Sequence, residues 1–182
     1  MRLPIVGPLT PLHVADGSAF NTFTTFQDIS PAPQLVLPQQ MMDVGMELYL
    51  YASGEFSTTG TPTLSIGFWF NGAAGAAPTT ILAQTTATTT GSGAAAWQWE
   101  AWWRGRLRGI GASGSFKGVG GINLGTSLTA YAAPIPMPTT QAARTVTVDT
   151  TANRAIGVGA AWGTSSASNT ITTYNMMAWA AS

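Results

Sequence analysis

The side chains able to do covalent chemistry are few: one histidine, His13, seven carboxylates and no cysteine. A Ser-His-Asp triad would have to be built on His13, and no Gly-x-Ser-x-Gly segment is present to expose a nucleophilic serine. One imidazole cannot form a histidine-rich metal cage, and without thiols there is no thiolate zinc site. We therefore predict a protein that is not an enzyme, with no catalytic residue, metal or cofactor.

Glu100 is the carboxylate with the most suggestive neighbours, because several tryptophans surround it between residues 97 and 103. Aromatic faces bind sugar rings, and glycoside hydrolysis requires only two facing carboxyl groups. In an extended chain, however, Glu100 shares a face with three arginines, and a salt bridge to an arginine or a cross-strand contact is the simpler interpretation. Carbohydrate binding stays open as an alternative, and hydrolysis is disfavoured.

The tryptophans and arginines between residues 94 and 110 alternate with a period of two, which is typical of a β-strand with two different faces. The inner set is Trp97, Trp99, Ala101, Trp103 and Leu107, and the outer set is Gln98, Glu100, Trp102, Arg104, Arg106 and Arg108. Core tryptophans with solvated arginines would explain the pattern. A tryptophan among charged residues, together with arginines, is however also typical of a surface that binds another protein. We predict that Trp102, Arg104, Arg106 and Arg108 form an interface.

The composition restricts the possible partners of this chain. Its 182 residues are 45% hydrophobic and only 8% charged, with a formal net charge of zero. A neutral chain with one lysine lacks the basic footprint of a nucleic-acid or membrane-binding protein, so we expect neither partner. Weak self-repulsion suits a subunit of a crowded assembly. Pro4, Pro8 and Pro11 interrupt the apolar N-terminus, so we predict no signal peptide and synthesis in a cytoplasm.

The positioning elements predicted around this strand are also β-strands. Alternating or apolar runs separated by Gly, Pro, Asn and Thr-rich turns predict eight strands, near residues 44–53, 63–70, 79–86, 94–110, 115–124, 144–150, 155–162 and 170–180. Residues 132–140 are predicted to be a proline-rich crossover between two parts of the sheet. Helices are not expected, because threonine and glycine dominate. Residues 43–182 are thus predicted to form an all-β, antiparallel, jelly-roll-like β-sandwich.

Residues 1–42 differ from the rest in carrying six prolines, which are incompatible with a well-paired central strand. We predict an extended N-terminal arm that lies along its own β domain or along a neighbouring subunit. Phe20, Phe23 and Phe26 recur at every third position within the arm, and such aromatic residues are atypical of disorder. We assign these three phenylalanines to the predicted interface.

Three stretches carry a resemblance to a known group of proteins: residues 47–67, residues 97–101 and residues 161–172. Their turn and strand patterns resemble small β-sandwich structural proteins encoded by tailed bacteriophages. The resemblance covers roughly residues 44–182, and it implies a jelly-roll virion protein, commonly a homotrimer, without catalytic residues.

On this basis we predict a capsid decoration or cement protein on the capsid surface of a virion. It would be made in the host cytoplasm, form a homotrimer and bind and stabilise the lattice of the major capsid protein. The alternative is a tail-associated fibre or a receptor- or glycan-binding module.

Overall fold

The computed structural model describes residues 7–8, 15–71 and 78–181, so His13 lies outside the described residues. The strands in chain order are β1 (Gly7–Pro8), β2 (Gln27–Asp28), β3 (Leu35–Leu37), β4 (Glu47–Ser57), β5 (Thr63–Phe70), β6 (Thr80–Gln84), β7 (Thr88–Thr89), β8 (Trp97–Gly109), β9 (Gly114–Ser127), β10 (Ala130–Tyr131), β11 (Ile135–Met137), β12 (Thr145–Val148), β13 (Arg154–Trp162) and β14 (Thr170–Ala181). Two single-turn 3₁₀ helices, η1 (Gln39–Met41) and η2 (Ala142–Arg144), complete the described secondary structure.

The strands form two antiparallel sheets. The large sheet has the order β1-β14-β4-β8-β9-β10, with β11 and β12 also paired to β9. The small sheet has the order β2-β13-β5-β6, with β3 paired to β13 and β7 paired to β5. Strands β4 and β14 pair in the large sheet, and β5 and β13 pair in the small one. The segments β4–β5 and β13–β14 therefore run antiparallel to each other as both cross between the sheets. The predicted all-β, jelly-roll-like antiparallel sandwich is confirmed.

The core lies between the sheets because one face of every long strand is apolar. In β8 the predicted alternation is confirmed, since Trp99, Ala101, Trp103 and Leu107 are buried. The predicted outer residues are partly or fully exposed: Gln98, Glu100, Trp102, Arg104, Arg106 and Arg108. Phe116 from β9 joins the two sheets, with its ring centroid 5.9 Å from that of Phe70 in β5. Burying such aromatic side chains contributes about 2–3 kcal/mol each, so Trp99 and Trp103 stabilise the sandwich substantially.

Two glycines create the space for Trp103, a buried tryptophan of β8. Gly105 in β8 faces Gly118 in β9, and the indole of Trp103 lies against both of them. A Cβ built on Gly105 would lie 2.1 Å from Trp103 Cη2, and one on Gly118 would lie 2.4 Å from Cζ2. These glycines are therefore packing positions, at which the indole lies directly against the backbone of both strands.

The described part of the arm lies along the chain's own sandwich. Phe20 forms an antiparallel bridge with Ile171, and β2 and β3 extend the small sheet by pairing with β13. Ile29, Leu35 and Leu37 are buried in the common core. Residues 20–37 thus lie on their own β domain and not on a neighbouring subunit. The division of the chain into an arm, 1–42, and a domain, 43–182, stays a prediction.

The proline-rich segment at residues 132–140 differs in part from the sequence-based prediction. Ile135–Met137 is itself a strand that returns antiparallel along β9, opposite Gly120–Ile122. The next strand, β12, pairs with the preceding part of β9, opposite Gly114–Lys117. The change of sheet therefore follows β12, in the turn before β13, and not within the proline-rich segment.

Candidate binding surface

The outer face of the large sheet is organised by the register of β4, β8 and β9. Arg104 in β8 lies opposite Tyr49 of β4 and Val119 of β9. Two residues further on, Arg106 lies between Glu47 and Lys117. Since directly opposed side chains on one face have Cβ atoms about 5 Å apart, each of these rows is a line of touching or nearly touching side chains.

At the end of the sheet near Arg108, these rows enclose a shallow groove of about 390 Å³, here called the basic groove. Its charged lining residues are Glu47, Arg104, Arg106, Arg108, Lys117 and Arg144. Five of the seven lysines and arginines of the chain thus line one groove, with a single carboxylate among them. A chain that is neutral overall consequently has one strongly positive site.

Glu47 neutralises only part of this charge. Arg104 donates a hydrogen bond of 2.6 Å to Glu47 Oε2, and Arg106 donates one of 3.3 Å to Oε1. The hydrogen bond from Arg104, with the charges of both arginines, lowers the pKa of Glu47, so this carboxylate is ionised at neutral pH. Among residues 15–71 and 78–181, no carboxylate lies within 4.0 Å of a charged nitrogen of Arg108, Lys117 or Arg144.

Beside the groove lies a second feature, the aromatic patch, which consists of Tyr51, Gln98, Glu100, Trp102, Asn123 and Tyr131. Trp102 is 39% exposed, and its indole lies over Gly121, where a built Cβ would be 3.4 Å from Cζ2. The ring thus lies against the sheet with part of its surface open to solvent.

Hydrogen bonds hold the polar members of the aromatic patch in place. Glu100 accepts one from Asn123 Nδ2 at 2.7 Å and one from the hydroxyl of Tyr51 at 3.2 Å. The hydroxyl of Tyr131 donates to Gln98 Oε1 at 2.8 Å. Burial, with a contribution from the charge of Glu100, raises the pKa of both tyrosines, so both hydroxyls remain donors at neutral pH. Of the two contacts left open for Glu100, an arginine or a cross-strand neighbour, the structure shows the cross-strand one.

The structure places the predicted interface residues in two separate regions. Trp102, Arg104, Arg106 and Arg108 are all exposed on one face of β8. The phenylalanines lie elsewhere: Phe20 is half-exposed beside β14, and the ring of Phe26 lies against Gly159 of β13. Phe23 is only 5% exposed and belongs to the core, which corrects its placement on a contact surface: its ring is held by its own domain.

Two groove residues, Lys117 and Arg144, were not recognised from the sequence. Lys117 could have been found, because a hairpin about the turn at residues 110–113 brings it opposite Arg106. Arg144 follows an aperiodic proline-rich segment and ends η2, and nothing in its sequence neighbourhood indicates that it lines the same groove as the arginines of β8.

The described residues contain no group of three or more histidine and acidic side chains arranged to hold a metal ion. Among them there is also no helix with the length and apolarity that membrane crossing requires.

No family model matches the chain, and no curated protein matches it. Among solved structures, the chain is similar to the metal-free form of lectin I-B4 from Griffonia simplicifolia. The identity is 10%, the TM-score is 0.39, and the alignment covers 97% of this chain and 92% of the lectin. A similarity of this size carries no functional argument.

Proposed function

We propose that this chain is a structural subunit of a tailed-bacteriophage virion, a capsid decoration protein that binds the major capsid protein as a homotrimer. The observation that carries the binding role is the concentration of five cations and an exposed tryptophan on one face of the large sheet. The virion context rests on the resemblance to phage β-sandwich proteins. The small number of reactive side chains agrees with a role performed by surfaces.

The outer face has the composition of a protein-binding surface. Tryptophan, tyrosine and arginine are the residue types that most often dominate the energy of an interface. Trp102 offers a half-open indole, and Tyr51 lies directly opposite it on β4. A contact centred on them would need about 1,000 Å² of total buried area to be specific. Repetition over a lattice would multiply a modest contact into a large stabilisation of the shell.

Binding of the purified chain to phage heads that lack it tests this proposal. We expect the chain to cosediment with the heads, to raise their thermal stability and to have the mass of a trimer in solution. Trp102→Ala should weaken binding at least tenfold, whereas Val36→Ala, at an exposed apolar residue of the small sheet, should not. Failure of the chain to bind heads, or its location only at the tail tip, would remove the proposal.

A glycan-binding module of the tail is the second candidate, and the aromatic patch is the observation that favours it. A tryptophan ring lying on the sheet beside fixed amide and carboxylate groups could stack on one face of a sugar and bind its hydroxyls. A glycan array would then detect binding that Trp102→Ala and Glu100→Gln both abolish. An array with no binding by the unchanged protein would discount this candidate.

A further inference from the structure

We infer that the basic groove is a binding site for a carboxylate-rich, extended segment of a different protein. The proposal deepens the proposed function by naming the chemistry of the partner, and it rests on that function only in taking the partner to be a protein. The anion-binding property of the groove stands without it.

The charge of the groove is the first argument. Five cations face one carboxylate, and that carboxylate already binds two of the arginines. Arg108, Lys117 and Arg144 are left without an acidic partner in the part of the chain that the structure describes. Clustered like charges repel each other, so a binding partner that supplies negative charge would relieve a cost that the free chain carries.

The spacing of the cations is the second argument. Arg104, Arg106 and Arg108 are alternate residues on the exposed face of one strand; Arg104 and Arg106 are about 7 Å apart along it, and Arg108 follows where the register with β9 shifts. An extended peptide presents alternate side chains on one face with the same repeat. Acidic residues at every second position of a partner segment would therefore meet the arginines one by one.

Glu47 shows within the chain how such a carboxylate binds. Its two oxygens accept hydrogen bonds from Arg104 and Arg106, so one carboxylate joins two arginines that are neighbours on the same face. Guanidinium groups bind carboxylates well because their donors match the two oxygens. The same arrangement is open to a carboxylate from outside at Arg108, Lys117 and Arg144.

The rest of the chain argues against other occupants. Its six remaining carboxylates are scattered among Asp16, Asp28, Asp43, Glu55, Glu100 and Asp149, so a second copy offers no acidic segment that would fit. The groove holds five of the seven cations and one of the seven carboxylates of the sequence, so the other residues of the chain carry a net negative formal charge. A long nucleic acid would be repelled beyond the groove, whereas a short acidic segment would not.

Fluorescence anisotropy of the full chain with a labelled peptide of alternating glutamate and serine tests the inference. The comparison probes are an alternating lysine and serine peptide and a single-stranded oligothymidylate. We expect binding of the acidic peptide that weakens as salt rises, and no binding of the basic one. The triple variant Arg108→Gln, Lys117→Gln and Arg144→Gln should lose at least about tenfold in affinity. The charge-keeping control, Arg108→Lys with Arg144→Lys, should lose less affinity than the triple variant, because it keeps the positive charges and gives up only the paired donors of the guanidinium groups.

The inference is overturned if the acidic peptide does not bind, if the triple variant binds it as well as the unchanged chain, or if oligothymidylate binds more tightly. Cosedimentation of the same variants with phage heads separates this inference from the proposed function. Head binding that survives the triple substitution overturns the inference and leaves the decoration role standing. Peptide binding without head binding supports the groove and removes the decoration role.

Discussion

Replacing Gly105 by alanine should destabilise the protein, because the added methyl group has no room beside Trp103. The new Cβ would lie 2.1 Å from Cη2 and 2.4 Å from Cζ2 of the indole, more than an ångström inside ordinary contact distance. Trp103 is 1% exposed, and the ring of Phe116 lies 5.8 Å away, centroid to centroid, so the indole cannot withdraw without disturbing the core.

The expected size follows from two opposing effects. Forcing extra volume into a packed core costs about 1–3 kcal/mol. Loss of glycine's freedom in the unfolded chain returns about 0.4–1 kcal/mol. We therefore expect Gly105→Ala to lower the free energy of unfolding by about 1–2 kcal/mol, with a decrease in Tm of about 2–4 °C for each kcal/mol.

Urea denaturation followed by tryptophan fluorescence measures this effect, and Gly109→Ala on the same strand is the matched control. A Cβ at Gly109 would have no heavy atom nearer than 3.8 Å, so this variant should be neutral or slightly more stable. Adding Trp103→Phe to Gly105→Ala should cost less than the sum of the single changes, because the smaller ring makes room. Equal stabilities of the two alanine variants would refute the packing argument.

Three further predictions concern the core and the titrating groups. Asp28 is 1% exposed, and burial raises its pKa, so the unfolding free energy should decrease as pH rises from about 4 toward neutrality; denaturation of Asp28→Asn should show a weaker decrease. Phe116→Ala, which removes the ring joining the two sheets, should cost about 3–5 kcal/mol in urea denaturation, and a loss below about 1 kcal/mol would contradict its central place. Burial and a hydrogen bond with Glu55 raise the pKa of Tyr174 to about 12, so Glu55→Gln should lower it in a spectrophotometric phenolate titration, and an unchanged value would show that Glu55 has no part in the shift.

The sequence predicted β8 well because its period of two is strict, and a one-residue shift would have placed Trp103 in water and Arg104 in the core. The same alternation identified Trp102 and three of the groove's arginines. Alternation does not tell which strands are neighbours, so the other two cations of the basic groove could not be assigned to it from this pattern. Lys117 lies there because β9 pairs with β8, and Arg144 because an aperiodic segment leads back to the groove.

In the arm, the sequence did not predict even the local contacts of the aromatic residues. Aromatic residues at every third position do not follow the period of a strand, so the pattern showed that Phe20, Phe23 and Phe26 need partners without showing which. In the fold, Phe23 lies in the core and β2 and β3 pair with β13. Long-range pairing of this kind depends on which sheet edge is open, and that is a property of the folded sandwich and not of the local sequence.

A density map of phage heads decorated with the purified chain, at a resolution that shows the strands, would test the central claim most directly. That claim is that the outer face of β4, β8 and β9 makes the contact with the partner. We predict that Trp102 and the basic groove are covered by the capsid lattice, with acidic residues of the lattice opposite the groove. A map in which this face points to solvent while another surface meets the shell would contradict the account.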